Sequence, residues 1–242
     1  MTKTQCFFPD TNLLYNFVDA IMNHSNLKSD HRRSKDFWKQ YGNKTRIPSI
    51  VWAEFSGLWF HKNIDLRDYS FWFNKRFNLF NEMLRQLKNN GVSNCDEDDI
   101  NFQTIFSIAT KFTQQKMPDD LIKKIVTRIK QTIDGCSNTI KSKKTDNEQK
   151  EFVKKNKERN EKILNNKKGK ILDGLDSFIV AFAFEYSKKY NNYDIIIVSD
   201  DKFLVDTVMF FNESEIKLED YDIPKNVLAC TTGDIIYKKK FC

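Results

Sequence analysis

The chain has 242 residues, of which 40% are hydrophobic and 30% charged. Its 21 Phe, 8 Tyr and 4 Trp exclude a disordered chain, and only 7 Gly and 4 Pro argue against a loop-rich all-β or fibrous protein. The formal charge of +7 favours an anionic partner, either nucleic acid or an acidic membrane face.

In chain order, residues 5–9 (Gln5-Cys6-Phe7-Phe8-Pro9) read as a short buried strand. Leu13, Leu14, Phe17, Val18 and Ile21 follow at helical spacing, with Asp10 or Thr11 placed to cap that helix. Arg46 to Ser49 reads as a second short strand, and Ser49 is placed to cap a helix carrying Val51, Trp52, Phe55, Leu58 and Trp59. From about 65 to 135 the pattern is helical throughout. One stripe runs through Tyr69, Phe73, Phe77, Phe80, Leu84 and Leu87, a second through Phe102, Ile105, Phe106 and Ala109. A third begins at Leu121 and continues through Ile122, Ile125, Val126, Ile129 and Ile133.

Residues 137–170 change character, and the stretch from Lys141 to Lys170 is dominated by Lys, Asn and Glu. The window 121–170 holds 16 Lys and Arg against 6 Asp and Glu, so it carries +10 and leaves −3 for the rest. Charge localised in this way points to a phosphate-bearing partner. The candidate contacts are Lys141, Lys143, Lys144, Lys167, Lys168 and Lys170.

The core resumes at 171. Leu175, Phe178, Ile179, Phe182 and Tyr186 predict an apolar helix, and Asp194 to Ser199 a strand buried on both faces, as in a parallel sheet. A helix follows from about Phe203, then a last strand over 226–230 and a short helix from Thr232. Strands alternating with helices predict an α/β fold with a mostly parallel sheet.

The five cysteines (Cys6, Cys95, Cys136, Cys230 and Cys242) are odd in number and form no CxxC pair. They predict neither a disulfide framework nor a zinc knuckle, and a reducing, cytoplasmic compartment. No apolar run reaches the length of a membrane span, and the first residues do not read as a signal peptide. The sequence carries no GxxxxGK[ST] and no GxGxxG, and none of its three histidines has an Arg four to six residues ahead of it.

Acidic residues fall where strands end or helices begin: Asp10, Glu54, Asp173 and Asp176, and Asp200 and Asp201. Ligands of an open parallel sheet bind at its carboxyl edge. Carboxylates gathered there repel unless a cation lies between them, and Mg²⁺ and Mn²⁺ prefer such oxygen ligands. Each acid also has a local reading: Asp10 and Asp173 as helix caps, Asp200 and Asp201 as turn residues. Glu54 sits among large apolar side chains and needs a partner. Along an extended strand Ser199 and Asp201 face one side and Asp200 the other, so Asp200, like Asp173, is the weaker ligand candidate.

The residues Phe7-Phe8-Pro9-Asp10-Thr11-Asn12, then Ile47-Pro48-Ser49 leading to Glu54, then Asp176-Ser177-Phe178, then Val198-Ser199-Asp200-Asp201, taken in that order, resemble the PIN-domain nucleases. The resemblance covers about 5–60 and 171–237. It implies a three-layer α/β PIN-like domain over 1–242, with a central mostly parallel sheet and an inserted helical and basic segment at about 62–170. It further implies metal-binding acids at Asp10, Glu54, Asp176 and Asp201, supporting polar residues at Asn12 and Ser199, and Mg²⁺ or Mn²⁺ as cofactor. The implied activity is hydrolysis of phosphodiester bonds, in single-stranded RNA before DNA, and a protein partner or inhibitor is compatible with it. Compact toxin-type members have a short helical hairpin between the second and third acids, whereas 122 positions separate Glu54 from Asp176 here. Two other readings fit the same residues: a non-catalytic nucleic-acid-binding module and a structure-specific DNA nuclease. Trp52, Trp59 and Trp72 are candidates for base stacking, but their apolar stripes favour core packing.

Overall fold

The computed structural model describes residues 3–23, 27–61, 69–115, 117–127, 171–172, 174–214 and 221–238, together with positions 131, 154, 158 and 218. The six candidate lysines between Lys141 and Lys170, and Asp173, lie outside the described residues, as do the side chains of Trp59 and Trp72.

Strand β1 (Thr4–Pro9) leads into α1 (Thr11–Met22), followed by α2 (Ser29–Tyr41) and a 3₁₀ turn over Gly42–Lys44. Strand β2 (Arg46–Ile47) then enters α3 (Ser49–His61). Next come α4 (Tyr69–Asn89), β3 (Ser93–Asn94) and α5 (Phe102–Gln114). Residues 119–127 are also helical. The chain closes with α6 (Gly174–Lys189), β4 (Tyr193–Val198), α7 (Lys202–Glu213), β5 (Val227–Cys230) and α8 (Thr232–Lys238).

β4 lies between β1 and β5, and both pairings are parallel, with Pro9 opposite Val198 and Val198 opposite Cys230. β2 pairs in parallel with β3, and a single parallel bridge from Phe7 to Thr45 joins the two sets. The strands therefore run β3-β2-β1-β4-β5. The chain moves outward on one side of β1 and then crosses to the other, so the order reverses between β1 and β4. That gap is where an open α/β sheet presents its ligand crevice.

Burial explains why these segments form. Ile195 to Val198 are all buried, which suits a strand covered on both faces. Phe7 and Phe8 on β1 reach opposite faces; Phe7 meets Phe37 and Tyr41, and Phe8 meets Phe182 and Tyr186. The apolar side of α6 packs on β4 and α5, and α7 packs on β5. At the amino edge, Arg46 donates to the hydroxyls of Tyr186 (2.7 Å) and Tyr193 (3.2 Å), which ties β2 to α6 and β4.

Three expectations are corrected, and one helix is added to them. The region 65–135 is not helical throughout: α4 ends at a turn with Gly91 at φ 79°, and β3 follows beside β2. A Cβ at Gly42 would lie 2.4 Å from the Asn90 carbonyl, so that turn closes onto the 3₁₀ turn only because Gly42 has none. Helix α2 was not expected, because SDHRRSKDFWKQY buries Phe37 and Trp38 beneath an otherwise polar surface. Ser49 does not cap α3 with its own oxygen; its N–H (2.7 Å) and hydroxyl (2.6 Å) both donate to Glu97, a carboxylate 48 positions away. The second stripe holds for Ile105 and Ala109 and fails for Phe102 and Phe106. Helix α5 buries Ile105, Ile108, Ala109 and Phe112, and leaves Phe102 and Phe106 53% and 63% exposed.

Candidate active site at the carboxyl edge of the sheet

The register of β1 on β4 sets Asp10 and Ser199 side by side at the point where the strand order reverses. The Asp10 N–H donates to the Val198 carbonyl (2.9 Å), and the Ser199 N–H to the Cys230 carbonyl (3.1 Å), so both lie one step past the ladder. Ser199 is wholly buried and Asp10 is 8% exposed.

One carboxyl oxygen of Asp10 accepts from the Thr11 N–H (2.6 Å), which makes Asp10 the N-cap of α1. The other accepts from Asn12 Nδ2 (2.6 Å) and from the Ser199 hydroxyl (2.6 Å). The Ser199 oxygen in turn accepts from Asn12 Nδ2 (3.2 Å) and from the Asp201 N–H (3.0 Å). A hydroxyl has one proton and two lone pairs. With both lone pairs engaged, its proton is committed to Asp10.

Burial pushes the Asp10 carboxyl up to about 6, against the pull of the Ser199 and Thr11 hydrogen bonds. The negative charges of Glu54 and Asp201 raise it further. Three donors hold the ionised form in place, yet the dry setting and two like charges oppose it. A cation at this edge would relieve both.

Glu54 is reached from the other side, where α3 packs on α1. The Thr11 hydroxyl donates to Glu54 Oε2. Thr11 therefore holds both Asp10 and Glu54, a role its place between Asp10 and Asn12 in the sequence does not announce. Asp201 caps α7, accepting from the Phe203 N–H (2.7 Å). Asp200 turns to the start of α8, where it accepts from the N–H (3.2 Å) and hydroxyl of Thr232. Asp176 lies in the first turn of α6, half-buried, one residue before the buried Ser177. Trp52 is not free for stacking at this edge: its indole donates to Asn94 (2.9 Å), and its ring meets Phe55 and Phe80.

The donor set at the edge is all oxygen, which suits a hard cation. Asn12 Oδ1 is buried there without a hydrogen-bond partner, an oxygen that a cation or its water shell could satisfy. Among the described residues, no group of three His, Cys, Asp or Glu side chains is gathered closely enough to form a metal site.

No family model, no curated protein and no solved structure matches this chain.

Proposed function

We propose that the chain is a metal-dependent nuclease on a three-layer PIN-like fold, hydrolysing phosphodiester bonds in RNA in preference to DNA. The observation that carries this reading is the buried Asp10 at the strand-order reversal, held by Asn12 and Ser199 and pressed by the charges of Glu54 and Asp201. The strand order β3-β2-β1-β4-β5 and the order of the acids along the chain support it. The preference for RNA rests on the family resemblance.

In this reading Asp10, Glu54, Asp176 and Asp201 hold Mg²⁺ or Mn²⁺. Such an ion, when bound, supplies Lewis-acid stabilisation of the phosphoryl oxygens and a bound water of lowered pKa. The chain's own residues do the rest. Ser199 and Asn12 fix the rotamer of Asp10, so its carboxylate faces the edge without reorganisation. Thr11 sets Glu54 against it. Caps at Asp10 and Asp201 anchor both acids to helix starts, whose dipoles favour negative charge.

The test is incubation of the purified chain with labelled single-stranded RNA and DNA, with Mn²⁺ or with EDTA, beside Asp10→Asn and Glu54→Gln. RNA cleavage that requires Mn²⁺ and is lost in both variants is expected. Cleavage that persists in EDTA, or in either variant, would overturn the assignment. Preference for branched or duplex DNA would make it a structure-specific DNA nuclease, and binding without cleavage a non-catalytic module.

A further inference from the structure

Helix α5 carries hydroxyls of two kinds. Thr110 and Thr113 donate back to the carbonyls of Phe106 (2.8 Å) and Thr110 (2.8 Å), the usual way a helix disposes of such a group. Thr104 and Ser107 make no such bond among the described residues, and both line a cavity of about 330 Å³. Asn101 and Lys111 line it as well, so residues three or four apart put one polar stripe of α5 along its wall. The Asn101 side-chain oxygen is taken by the Thr104 N–H (3.1 Å), which leaves its amide nitrogen as a donor.

Tyr221 supplies a wall from outside α5. Its ring stacks on Phe184 at 6.2 Å, and the Lys188 ammonium lies 3.9 Å from the ring centroid. Its hydroxyl is buried without a hydrogen-bond partner, whereas a buried Tyr hydroxyl ordinarily has one. Burial first, and then the charge of Glu185, push the phenol above its ordinary range, so it stays a donor. The cavity is thus lined by hydroxyls, carboxamides and one ammonium, with no carboxylate among the described residues. Donors of this kind around a Lys complement an oxyanion, and Lys serves phosphate as a point charge. The volume is at the small end of the roughly 300–1,000 Å³ of ligand pockets, so the occupant is small. Helices α5 and α6 run antiparallel: Asp99 bonds Lys189 (2.6 Å) at one end, and the Leu172 N–H bonds the Phe112 carbonyl (3.2 Å) at the other. Tyr221 meets α6 at Phe184 and Lys188, about 12–18 Å along the helix from Asp176 at 1.5 Å per residue. The cavity is therefore set apart from the acids at the carboxyl edge.

We propose that the cavity between α5 and Tyr221 binds a phosphate group, carried free or on a small ester. The hydroxyls of Thr104, Ser107 and Tyr221 donate to its oxygens, and Lys111 supplies the balancing charge. The site stands apart from the nuclease reading, and neither decides the other.

The test titrates the full chain with inorganic phosphate, ribose 5-phosphate and acetate by calorimetry, in EDTA so that no metal takes part. Saturable binding of phosphate or its ester is expected, and the tighter of the two shows how the group arrives. Tyr221→Phe keeps the ring against Phe184 and Lys188 and removes only the hydroxyl. It and Lys111→Gln are each expected to weaken binding by about tenfold or more. Asp10→Asn should bind as wild type does. Without phosphate, Tyr221→Phe should unfold at the same denaturant concentration as wild type or higher, because no bond is lost. Earlier unfolding would mean that the hydroxyl already has a partner in the fold, and would overturn the site. So would wild type that binds neither phosphate nor the ester, or affinities that Tyr221→Phe and Lys111→Gln leave unchanged. Acetate binding as tight as that of phosphate would remove the assignment to a phosphate group. Binding lost in Asp10→Asn and kept in Tyr221→Phe would move the anion to the carboxyl edge and overturn the proposal.

Discussion

Thr11 donates to two carboxylates at once, its N–H to Asp10 and its hydroxyl to Glu54. It is almost wholly buried, so neither bond competes with bulk water. The residue thus couples the end of β1 to a helix that starts some forty positions later. Thr11→Val keeps the shape and the backbone donor but removes the hydroxyl. Mn²⁺ affinity, read by calorimetry, is expected to fall by about 10–100-fold, as for other residues that orient metal ligands. Thr11→Ser should restore it. Unchanged Mn²⁺ affinity in Thr11→Val would mean that the bond only packs α3 on α1.

Asp10 gives the chain a pH dependence whose sign follows from burial. Its carboxyl is raised from an ordinary 3.8 to about 6, so between these values the folded chain holds a proton that the unfolded chain has released. The folded state therefore has its full share of stability below pH 3.8 and loses it as pH rises through 6. The loss is about 3 kcal/mol at 1.36 kcal/mol per pK unit. Asp10→Asn removes the titration. Asn caps nearly as well as Asp, and Asn12 can turn its unpartnered oxygen toward the new amide. The variant is expected to unfold at higher denaturant than wild type at pH 7.5 and to lose that advantage at pH 4. Mn²⁺ should raise the wild-type Tm at pH 7.5 but not at pH 5, where the proton competes for the same oxygens. A wild-type advantage over Asp10→Asn at pH 7.5 without metal would contradict the strain assigned to this carboxylate.

Glu97 reaches across from the loop after β3 to bind the first turn of α3. A negative charge accepting from both the N–H and the hydroxyl of Ser49 satisfies an otherwise orphaned helix donor and complements the helix dipole. Glu97→Ala is expected to cost about 1–2 kcal/mol in urea unfolding. Ser49→Ala keeps the N–H bond and should cost less. If the two variants lose the same amount, the backbone bond contributes nothing.

The sequence's legibility followed local apolar density. β4, α6 and β1 are continuous or strongly periodic in Ile, Val and Phe, and each lies within a residue or two of where that pattern places it. β3 is two polar residues long and exists only because β2 lies beside it, a non-local cause that no window of sequence contains. In α5 the apolar residues recur so densely that two registers fit. Packing against α6 chose the one that exposes Phe102 and Phe106. At the site, the end-of-strand position of Asp10 and Ser199 was readable because strand ends are. The bonds from Thr11 to Glu54 and from Ser49 to Glu97 were not, since they join segments more than forty positions apart.

The neighbouring acids Asp200 and Asp201 separate structure from chemistry within one turn. Asp200 accepts from the N–H and hydroxyl of Thr232 and so pins the end of β4 to the start of α8. Asp201 raises the Asp10 carboxyl through its charge, and its own N–H bonds the Ser199 hydroxyl that orients Asp10. Asp200→Ala removes an acceptor from a half-buried pair and is expected to cost about 1–3 kcal/mol of stability. Cleavage per folded molecule should change little. Asp201→Asn keeps the cap on α7, because Asn accepts from the Phe203 N–H as Asp does. Its stability should therefore stay within about 0.5 kcal/mol of wild type. What it loses is a negative charge facing Asp10. Cleavage should fall by two orders of magnitude or more, and Asp10 should titrate lower, since a like charge that opposed its ionisation is gone. Following the Asp10 carboxyl by NMR in both variants reads that shift without relying on activity. If Asp200→Ala is the inactive variant while Asp201→Asn cleaves normally, the metal-facing acid is Asp200, and the turn after β4 is oriented the other way when substrate is bound.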